Sequence, residues 1–368
     1  MKNKLLTTTA IAGLLITGNA FAQTTVTGNL DLSYKGVSNN NTKGSSMRGF
    51  GKESQINLTN KGKLNNGMDY VAGFSIEHDG AEGGVATIGG TSSTGANSGT
   101  QMFNENVYID IIAGKTTFTI GADHIQNPDY EITNLTGTAD LDEIVSGITN
   151  SAPAFITNIG SPYSSFGLGV IQDFGVGKFS VYYAPSTASI AGDSHGGFAT
   201  HQNYVDGANS TYELGFRGDL GVKGFDLGIY YNSVDSNDRG KSTSSLDNYK
   251  VSLRHNFGLV TASAAYAVQE AYTDNAAATA FTVTEKESQS VGLAYAVNKD
   301  VSVGLAHGRT TDNSTAAKKA SKEKITALSV GYSLGPISTG LSVGKIDNHA
   351  NTANVQGKAA MFQMGAKF

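Results

Sequence analysis

Five carboxylates stand close together in one stretch of the chain, residues 124–162, which contains no Lys or Arg. A run of acidic side chains without basic neighbours attracts cations and repels anions over the screening length of the solution, about 8–10 Å. No cofactor is predicted, and weak calcium binding by this stretch is left as an open alternative, since carboxylate oxygens are the ligands that calcium prefers. The five residues are Asp129, Glu131, Asp140, Asp142 and Glu143.

Five basic residues are candidates for a wall that faces water. Lys35, Arg217, Lys250 and Arg254 occupy polar positions in stretches where apolar and polar residues alternate, and Arg48 belongs to the first long loop. A basic side chain that faces lipid at mid-depth costs about 2–4 kcal/mol, so these positions are predicted to face water. The predicted basic wall comprises Lys35, Arg48, Arg217, Lys250 and Arg254.

Other site chemistry finds little support in the sequence. The seven His are scattered, and His195 and His201 share a stretch without a third ligand, so no metal site is predicted. The segment 235–240, "DSNDRG", begins like a calcium loop but has Leu246 where the bidentate Glu would stand. Phosphate-binding and nucleophile motifs are absent, and neither a cofactor nor catalysis is predicted.

The elements that carry these residues are strands. In "GFDLGIYYN", Phe225, Leu227, Ile229 and Tyr231 alternate with small or polar residues, and fifteen further runs show the same period of two. Most reach about ten residues, the length that a tilted strand needs to cross a bilayer. Short gaps such as 113–115 alternate with long gaps along the whole chain, as expected for an antiparallel sheet with its short turns at one end.

The sequence therefore predicts an all-β protein, a 16-stranded antiparallel transmembrane β-barrel with short periplasmic turns and long extracellular loops. Closure removes the sheet edges, and in lipid every backbone polar group must be satisfied internally. A soluble β-sandwich shows similar alternation but does not require this regular order of gaps. The small residues on the non-lipid face favour a water-filled bore.

Both ends of the chain carry features that predict export and insertion into a membrane. Residues 1–22 contain Lys2 and Lys4, an apolar run and Ala20-Phe21-Ala22, and predict a cleaved secretory signal peptide, which leaves a single barrel over 23–368. The formal net charge is −5, and −7 once Lys2 and Lys4 are removed, which argues against nucleic acid as a partner. The last strand, 358–368, ends on Phe368 with its aromatic ring at the predicted membrane interface.

In the order of its hairpins the mature chain resembles the Gram-negative general porins. The stretches that carry the resemblance are "SQINLTNKGKLNNGMDYVAGFSIE" (54–77), "NVYIDIIAGKTTFTIGAD" (106–123) and the terminal Phe368. The chain departs from the family pattern at Gln55 and Ala122, where porins often carry arginine, and it lacks the enteric loop motif. In porins an acidic loop faces basic wall residues across the constriction, and these departures leave fewer basic residues than usual for that arrangement.

The resemblance implies an outer-membrane homotrimer in a Gram-negative bacterium, with a separate pore in each protomer. It implies that the third long loop, 124–162, folds inward as a constriction, and that Phe368 is read by the outer-membrane assembly machinery. The expected function is passive diffusion of small hydrophilic solutes and ions, with weak cation preference. A substrate-selective channel and an outer-membrane adhesin or enzyme are the alternatives. Inward Tyr182 and Tyr230 give the first of these limited support, and no Ser–His pair supports an enzyme.

Overall fold

A computed structural model describes most of the chain after residue 22, namely residues 23–40, 46–81, 87–88, 91–92, 103–122, 141–146, 148, 154, 167–184, 210–235, 244–274 and 281–368. The predicted signal peptide, 1–22, lies outside these residues and stays a prediction. The described part of the chain contains no helix that is long and apolar enough to cross a membrane.

Sixteen strands make up one closed sheet. Their bounds are β1 Gln23–Asn39, β2 Ser46–Lys63, β3 Asp69–Ala81, β4 Phe103–Ala113, β5 Thr116–Ala122, β6 Gly167–Asp173, β7 Lys178–Ala184, β8 Ser210–Gly218, β9 Phe225–Asp235, β10 Ser244–Asn256, β11 Val260–Asp274, β12 Phe281–Ala296, β13 Val301–Asp312, β14 Glu323–Leu334, β15 Ile337–Asp347 and β16 Gln356–Lys367.

Each strand pairs antiparallel with its neighbours in the chain, and β1 pairs with β16 to close the barrel. The closing register sets Leu32 opposite Met364 and Tyr34 opposite Phe362. The terminal residue takes part in the closure, since the backbone N–H of Phe368 donates to Gly28 O at 3.0 Å and Gly28 N–H donates to Phe368 O at 2.8 Å. The predicted sixteen-stranded antiparallel barrel is therefore confirmed.

The two faces of the wall differ as the alternation requires. On β14 the outward Leu328, Val330 and Tyr332 are exposed, whereas the inward Ala327 and Ser329 are buried. An apolar outer face and a small or polar inner face suit a barrel that is surrounded by lipid and encloses water.

Short turns join β4 to β5, β6 to β7 and each later pair of this kind at one end of the barrel. Between β4 and β5 only Gly114 and Lys115 form the turn, and Gly114 has φ 63°, a left-handed value that glycine adopts without steric cost. The opposite end carries the long connections. These include the helix α1 (Leu141–Val145), the helix α2 (Ala316–Ala320) and a 3₁₀ turn (His349–Asn351), together with a two-residue strand pair, Thr87–Ile88 and Thr91–Ser92.

The first two strands are longer than the sequence predicted. The alternation predicts strands at 24–34 and 52–60, whereas β1 and β2 stay paired from Gln23 with Lys61 up to Ser38 with Ser46. Beyond the apolar band the outward positions carry glycine, serine and charge, so the alternation ends although the backbone ladder continues. The first long loop is correspondingly short.

The barrel interior as candidate functional site

The helix α1 lies inside the barrel and packs against the inner wall. The exposure of Leu141, Ile144 and Val145 is 2% or less, and Ile148 just beyond the helix is fully buried. α1 contacts β13, β14, β15 and β16, at the half of these strands nearer the long loops. The wall residues of this apolar cluster are Val37, Ile325, Ala327, Ile346, Ala359 and Met361.

Two glycines of the inner wall make room for this segment. A Cβ atom at Gly344 would lie 2.6 Å from Ile144 Cγ2 and 3.1 Å from Val145 Cγ1. A Cβ atom at Gly357 would collide with the side chain of Ile148. Any larger residue at either position would push the segment away from the wall.

Polar contacts fix the same segment at its edges. Lys35 Nζ donates to Ser146 Oγ at 2.7 Å, and the Asn39 side-chain amide donates to the carbonyl of Ile148. Further along, the backbone N–H of Ala154 donates to Glu323 Oε2 at 2.9 Å. Lys35, predicted as a basic wall residue, thus points inward and holds the segment to the wall.

The predicted acidic residues are only partly covered by the structure. Asp129, Glu131 and Asp140 lie outside the described residues. Asp142 and Glu143 fall within α1, whose backbone runs inside the barrel. The predicted opposition between these carboxylates and the basic wall stays a prediction.

Arg217 and Arg254 both point inward, where they share one carboxylate. Arg217 donates from Nε and Nη2 to Asp226 Oδ1 and Oδ2 at 3.1 and 2.7 Å, and Arg254 Nη2 donates to Asp226 Oδ2 at 2.8 Å. All three residues lie within three positions of the short-turn ends of β8, β9 and β10. They therefore lie near the periplasmic mouth, away from the strands that α1 contacts.

Lys250 also points inward, near the middle of β10, and is only 4% exposed. A row of polar side chains crosses the wall one step nearer the long loops. Asn232 donates to Glu213 Oε1 at 3.2 Å, Asn248 donates to Asn232 Oδ1 at 3.1 Å, and Gln269 donates to Asn248 Oδ1 at 3.2 Å. This row stiffens the wall on β8 to β11 through side-chain hydrogen bonds.

The prediction that Arg48 lines the bore is wrong. Arg48 pairs with Gly36, and residues that pair directly project to the same face of a sheet. The neighbouring outward positions are Tyr34 and Phe50, whose rings pack at 4.9 Å, whereas Lys35 is inward. Arg48 therefore lies on the outer face near the long-loop end, and the error came from treating it as part of a loop.

The structure reveals an inward acidic wall that the sequence reasoning overlooked. Asp31 and Glu53 are directly opposite each other on β1 and β2, and both are exposed on the inner face. Glu77 and Asp110 continue the inward acidic positions onto β3 and β4. The inward parity of three of these residues could have identified them from sequence, because Asp31, Glu77 and Asp110 each lie one position away from an outward apolar residue.

Acidic strands β1 to β4 and the basic side chains of β8 to β10 occupy opposite sides of the barrel circumference. Each sector also carries the opposite charge on its inner face, since Glu213 and Asp226 accompany the basic side chains and Lys35 lies on β1. In the parts of the chain that the structure covers, no group of three or more His, Cys, Asp or Glu could hold a metal ion.

An outward-apolar barrel with a charged interior defines a membrane channel of the outer-membrane type. A model of the Gram-negative porin family matches residues 7–348, and the chain belongs to that family. The chain is accordingly an outer-membrane channel for passive diffusion, and not an enzyme. A search of curated protein sequences returns no match.

Solved porin structures share the fold at low sequence identity. An anion-selective porin from Comamonas acidovorans is 14% identical with a TM-score of 0.63, and the match covers 94% of this chain and all of that one. A trimer form of OmpT from Vibrio cholerae is 12% identical with a TM-score of 0.58, over 95% and 99% of the two chains. Salmonella typhi OmpF, in complex with daunomycin, is 11% identical with a TM-score of 0.60, over 95% and 99%.

Proposed function

We propose that this porin is a weakly cation-selective channel for small hydrophilic solutes and ions. The observation that carries the proposal is the inward pair Asp31 and Glu53, directly opposite each other and exposed on the inner face. Arg217 and Arg254 are both bonded to Asp226, so their charge is partly neutralised. The accessible charge of the bore is then biased towards acid.

The strength of this preference depends on ionic strength. Rings of carboxylates select cations by sign, and salt screens exposed charges over about 8–10 Å at 0.10–0.15 M. A sixteen-stranded barrel leaves an aqueous channel in which these charges are screened by salt, so the selectivity is expected to be weak at physiological salt and stronger at low salt.

The third long loop, 124–162, is proposed to narrow the bore. The support is the burial of α1 inside the barrel, because the connection from β5 to β6 must then enter the lumen at least as far as residues 141–148. Asp142 and Glu143 belong to α1, and their carboxylates would then add to the negative charge at the constriction. Weak calcium binding by this loop stays a prediction, and diffusion itself requires no cofactor.

The test is the reversal potential in planar bilayers under a salt gradient. Asp31→Asn with Glu53→Gln should move the reversal potential towards the nonselective value, with the largest change at low salt. The matched control is Asp247→Asn with Glu270→Gln, a second pair of directly opposite carboxylates, which lies on the outer face. An unchanged reversal potential in the inner-face variant, or an equal change in the control, would refute the proposal.

We also propose that the protein is a homotrimer with three parallel pores. The support is family membership together with the similarity to the trimer form of OmpT. Native mass spectrometry should give a trimer mass, and single-molecule recordings should show conductance steps in groups of three. A monomer mass with single steps would contradict this proposal while leaving the charge argument intact.

Substrate-selective transport along aromatic side chains finds no support in the geometry. Tyr182 and Tyr230 point inward as expected, but they are only 4% and 3% exposed. The Tyr182 hydroxyl donates to the carbonyl of Gly121 at 2.9 Å, which fixes the ring within the wall. These two rings therefore offer no accessible path for a sugar.

A further inference from the structure

Three basic side chains lie together on the inner face of the barrel, beside its short turns. Lys178 is the first residue of β7 and is directly opposite Arg217 on β8, so the two project to the same face. Arg254 lies near the end of β10, and its Nη2 bonds the same oxygen, Asp226 Oδ2, as Nη2 of Arg217. The two guanidinium groups are therefore held side by side. We call Lys178, Arg217 and Arg254 the mouth basic cluster.

Carboxylates offset the charge of the mouth basic cluster only in part. Both guanidinium groups share the single carboxylate of Asp226. Asp173 is directly opposite Lys178, but its Oδ1 accepts the backbone N–H of Gly175 at 2.6 Å within the turn. In the part of the chain that the structure describes, Lys178 forms no ion pair. Like charges directly opposite each other destabilise a sheet, so the pair of Lys178 and Arg217 favours an additional anion.

Arg254 retains donors for such an anion. Among its contacts with described residues, Nη2 alone donates, to Asp226, which leaves Nε and Nη1 for a ligand. The side chain of Arg254 is 41% exposed and that of Arg217 is 38% exposed, so a solute in the bore can reach both. The planar fork of an arginine suits phosphate and carboxylate groups, to which it can donate two parallel hydrogen bonds.

Two buried hydroxyl groups lie beside Arg254. Ser263 is directly opposite Arg254 on β11 and is 6% exposed, and Ser252, on the same face of β10, is fully buried. Within the described ranges, neither Oγ atom makes a hydrogen bond. Buried polar groups are normally hydrogen-bonded, and a hydroxyl group next to a guanidinium can donate to the same oxyanion. Gly228, directly opposite both Ser252 and Arg217, places no side chain in the space between them.

We propose that this part of the inner wall binds the phosphate group of a small solute in the bore. Arg217 and Arg254 donate to the phosphate oxygens, Lys178 supplies the third positive charge, and the hydroxyl of Ser263 donates to a further oxygen. A tetrahedral phosphate has enough oxygens to accept from all of these donors, whereas a carboxylate has only two. The site lies at the short-turn end of β7 to β11, across the barrel from the acidic strands β1 to β4, and does not depend on the proposed cation preference.

The experiment uses inorganic phosphate as the probe and the purified full-length protein in a phosphorus-free detergent. The linewidth of the phosphorus NMR signal gives the bound fraction, and acetate is added as a competitor in a separate series. The double variant Lys178→Gln with Arg254→Gln is compared with wild type. The matched control, Lys61→Gln with Lys367→Gln, removes two exposed inner-face charges from the same end of the barrel. Heat-modified gel mobility verifies that each barrel is folded.

The double variant loses two charge-assisted donors and should bind phosphate at least about tenfold more weakly than wild type. The control should bind as wild type does, because neither Lys61 nor Lys367 is directly opposite another basic residue. Ser263→Ala retains every charge and should weaken binding about fivefold through the loss of one hydrogen bond. If the double variant does not fold, Ser263→Ala still tests the site, since it replaces one small side chain by another.

Equal phosphate binding by wild type and the double variant would overturn the proposal. An equal loss of binding in the control would also overturn it, because the net charge of the mouth would then account for the affinity. Wild-type affinity in Ser263→Ala, or displacement of phosphate by an equal concentration of acetate, would contradict the assigned geometry. The titration measures neither conductance nor reversal potential, so its outcome is independent of the proposed ion selectivity.

Discussion

The docking of α1 inside the barrel can be tested by removing one buried side chain. Ile144 is 1% exposed and lies against the inner wall at Gly344. Replacing Ile144 by Ala removes its contacts with the wall but changes neither a charge nor a barrel strand. We expect this substitution to release α1 from the wall and to leave the barrel folded.

The magnitude follows from two opposing terms. Burial of Leu141, Ile144 and Val145 contributes about 5–9 kcal/mol, at about 1.5–3 kcal/mol for each side chain. Ordering the backbone of the 5 residues of α1 costs about 5–10 kcal/mol. The two terms nearly cancel, so the helix is held by a margin of a few kcal/mol, to which the hydrogen bond from Lys35 to Ser146 adds about 1 kcal/mol. Truncating a buried Ile to Ala costs about 2–5 kcal/mol, enough to shift the docked population about 30-fold or more.

Two assays measure the release. Single-channel recordings of Ile144→Ala should show larger current noise and a higher maximal conductance, because the segment no longer occupies the bore. Limited proteolysis should cut near residues 141–148 at a higher rate than in wild type. The control is Ile229→Ala, which removes the same atoms from an exposed, lipid-facing position on β9 and should change neither reading. If the noise and the cleavage rate of Ile144→Ala match those of wild type, the apolar cluster does not hold α1 and the estimate above is wrong.

Three further predictions concern the loop, the end of the chain and pH. Neutralising Asp140, Asp142 and Glu143 together should lower cation preference at low salt, whereas an unchanged reversal potential would place these carboxylates away from the constriction. Deleting Phe368, which closes the barrel through backbone hydrogen bonds to β1, should lower the amount of assembled barrel in outer-membrane fractions, with the conductance of each assembled channel unchanged; normal assembly would contradict its role as an assembly signal. Burial lowers the pKa of His349, which lies in the connection after β15. Protonation therefore opposes the folded form of this connection, and its stability should be complete above about pH 6.5 and decrease as the pH falls below that value. Hydrogen exchange of residues 348–355 should accelerate on acidification in wild type, and a His349→Gln variant that accelerates equally would rule out this cause.

The strands were predictable because lipid imposes one rule on every residue of a crossing segment. Outward positions must be apolar within the hydrocarbon, so alternation marks each strand and its parity assigns each side chain to a face. This is why Lys35, Arg217, Lys250 and Arg254 were assigned correctly to the inner face. The rule fails beyond the apolar band, where outward positions are no longer constrained and the alternation ends, so Arg48 was assigned to a loop instead of to the outer face of β2.

The position of α1 was not predictable in the same way, but the sequence contains a signal for it. Val37, Ile325, Ile346 and Met361 are large apolar residues on inward parity, where a water-filled bore would favour polar side chains. Taken singly, each of them looks like an error in the alternation. The register brings β14, β15, β16 and β1 side by side, and only then do the four form one apolar surface.

The small residues on the inner face of the barrel have more than one cause. The sequence argument treated them as a sign of an open, water-filled bore, and on part of the wall they have another cause. Ala327, Gly344 and Ala359 are small because α1 lies against them, and at Gly344 even a single Cβ atom would meet Ile144 at 2.6 Å. Gly344→Ala should therefore displace α1 as Ile144→Ala does, whereas Gly49→Ala, on the inner face with no atom within 4 Å of its added Cβ, should leave the conductance unchanged. If the two glycine variants behave equally, the inward residues of this part of the wall are small because they line the bore. The contact between α1 and Gly344 then does not hold α1 in place.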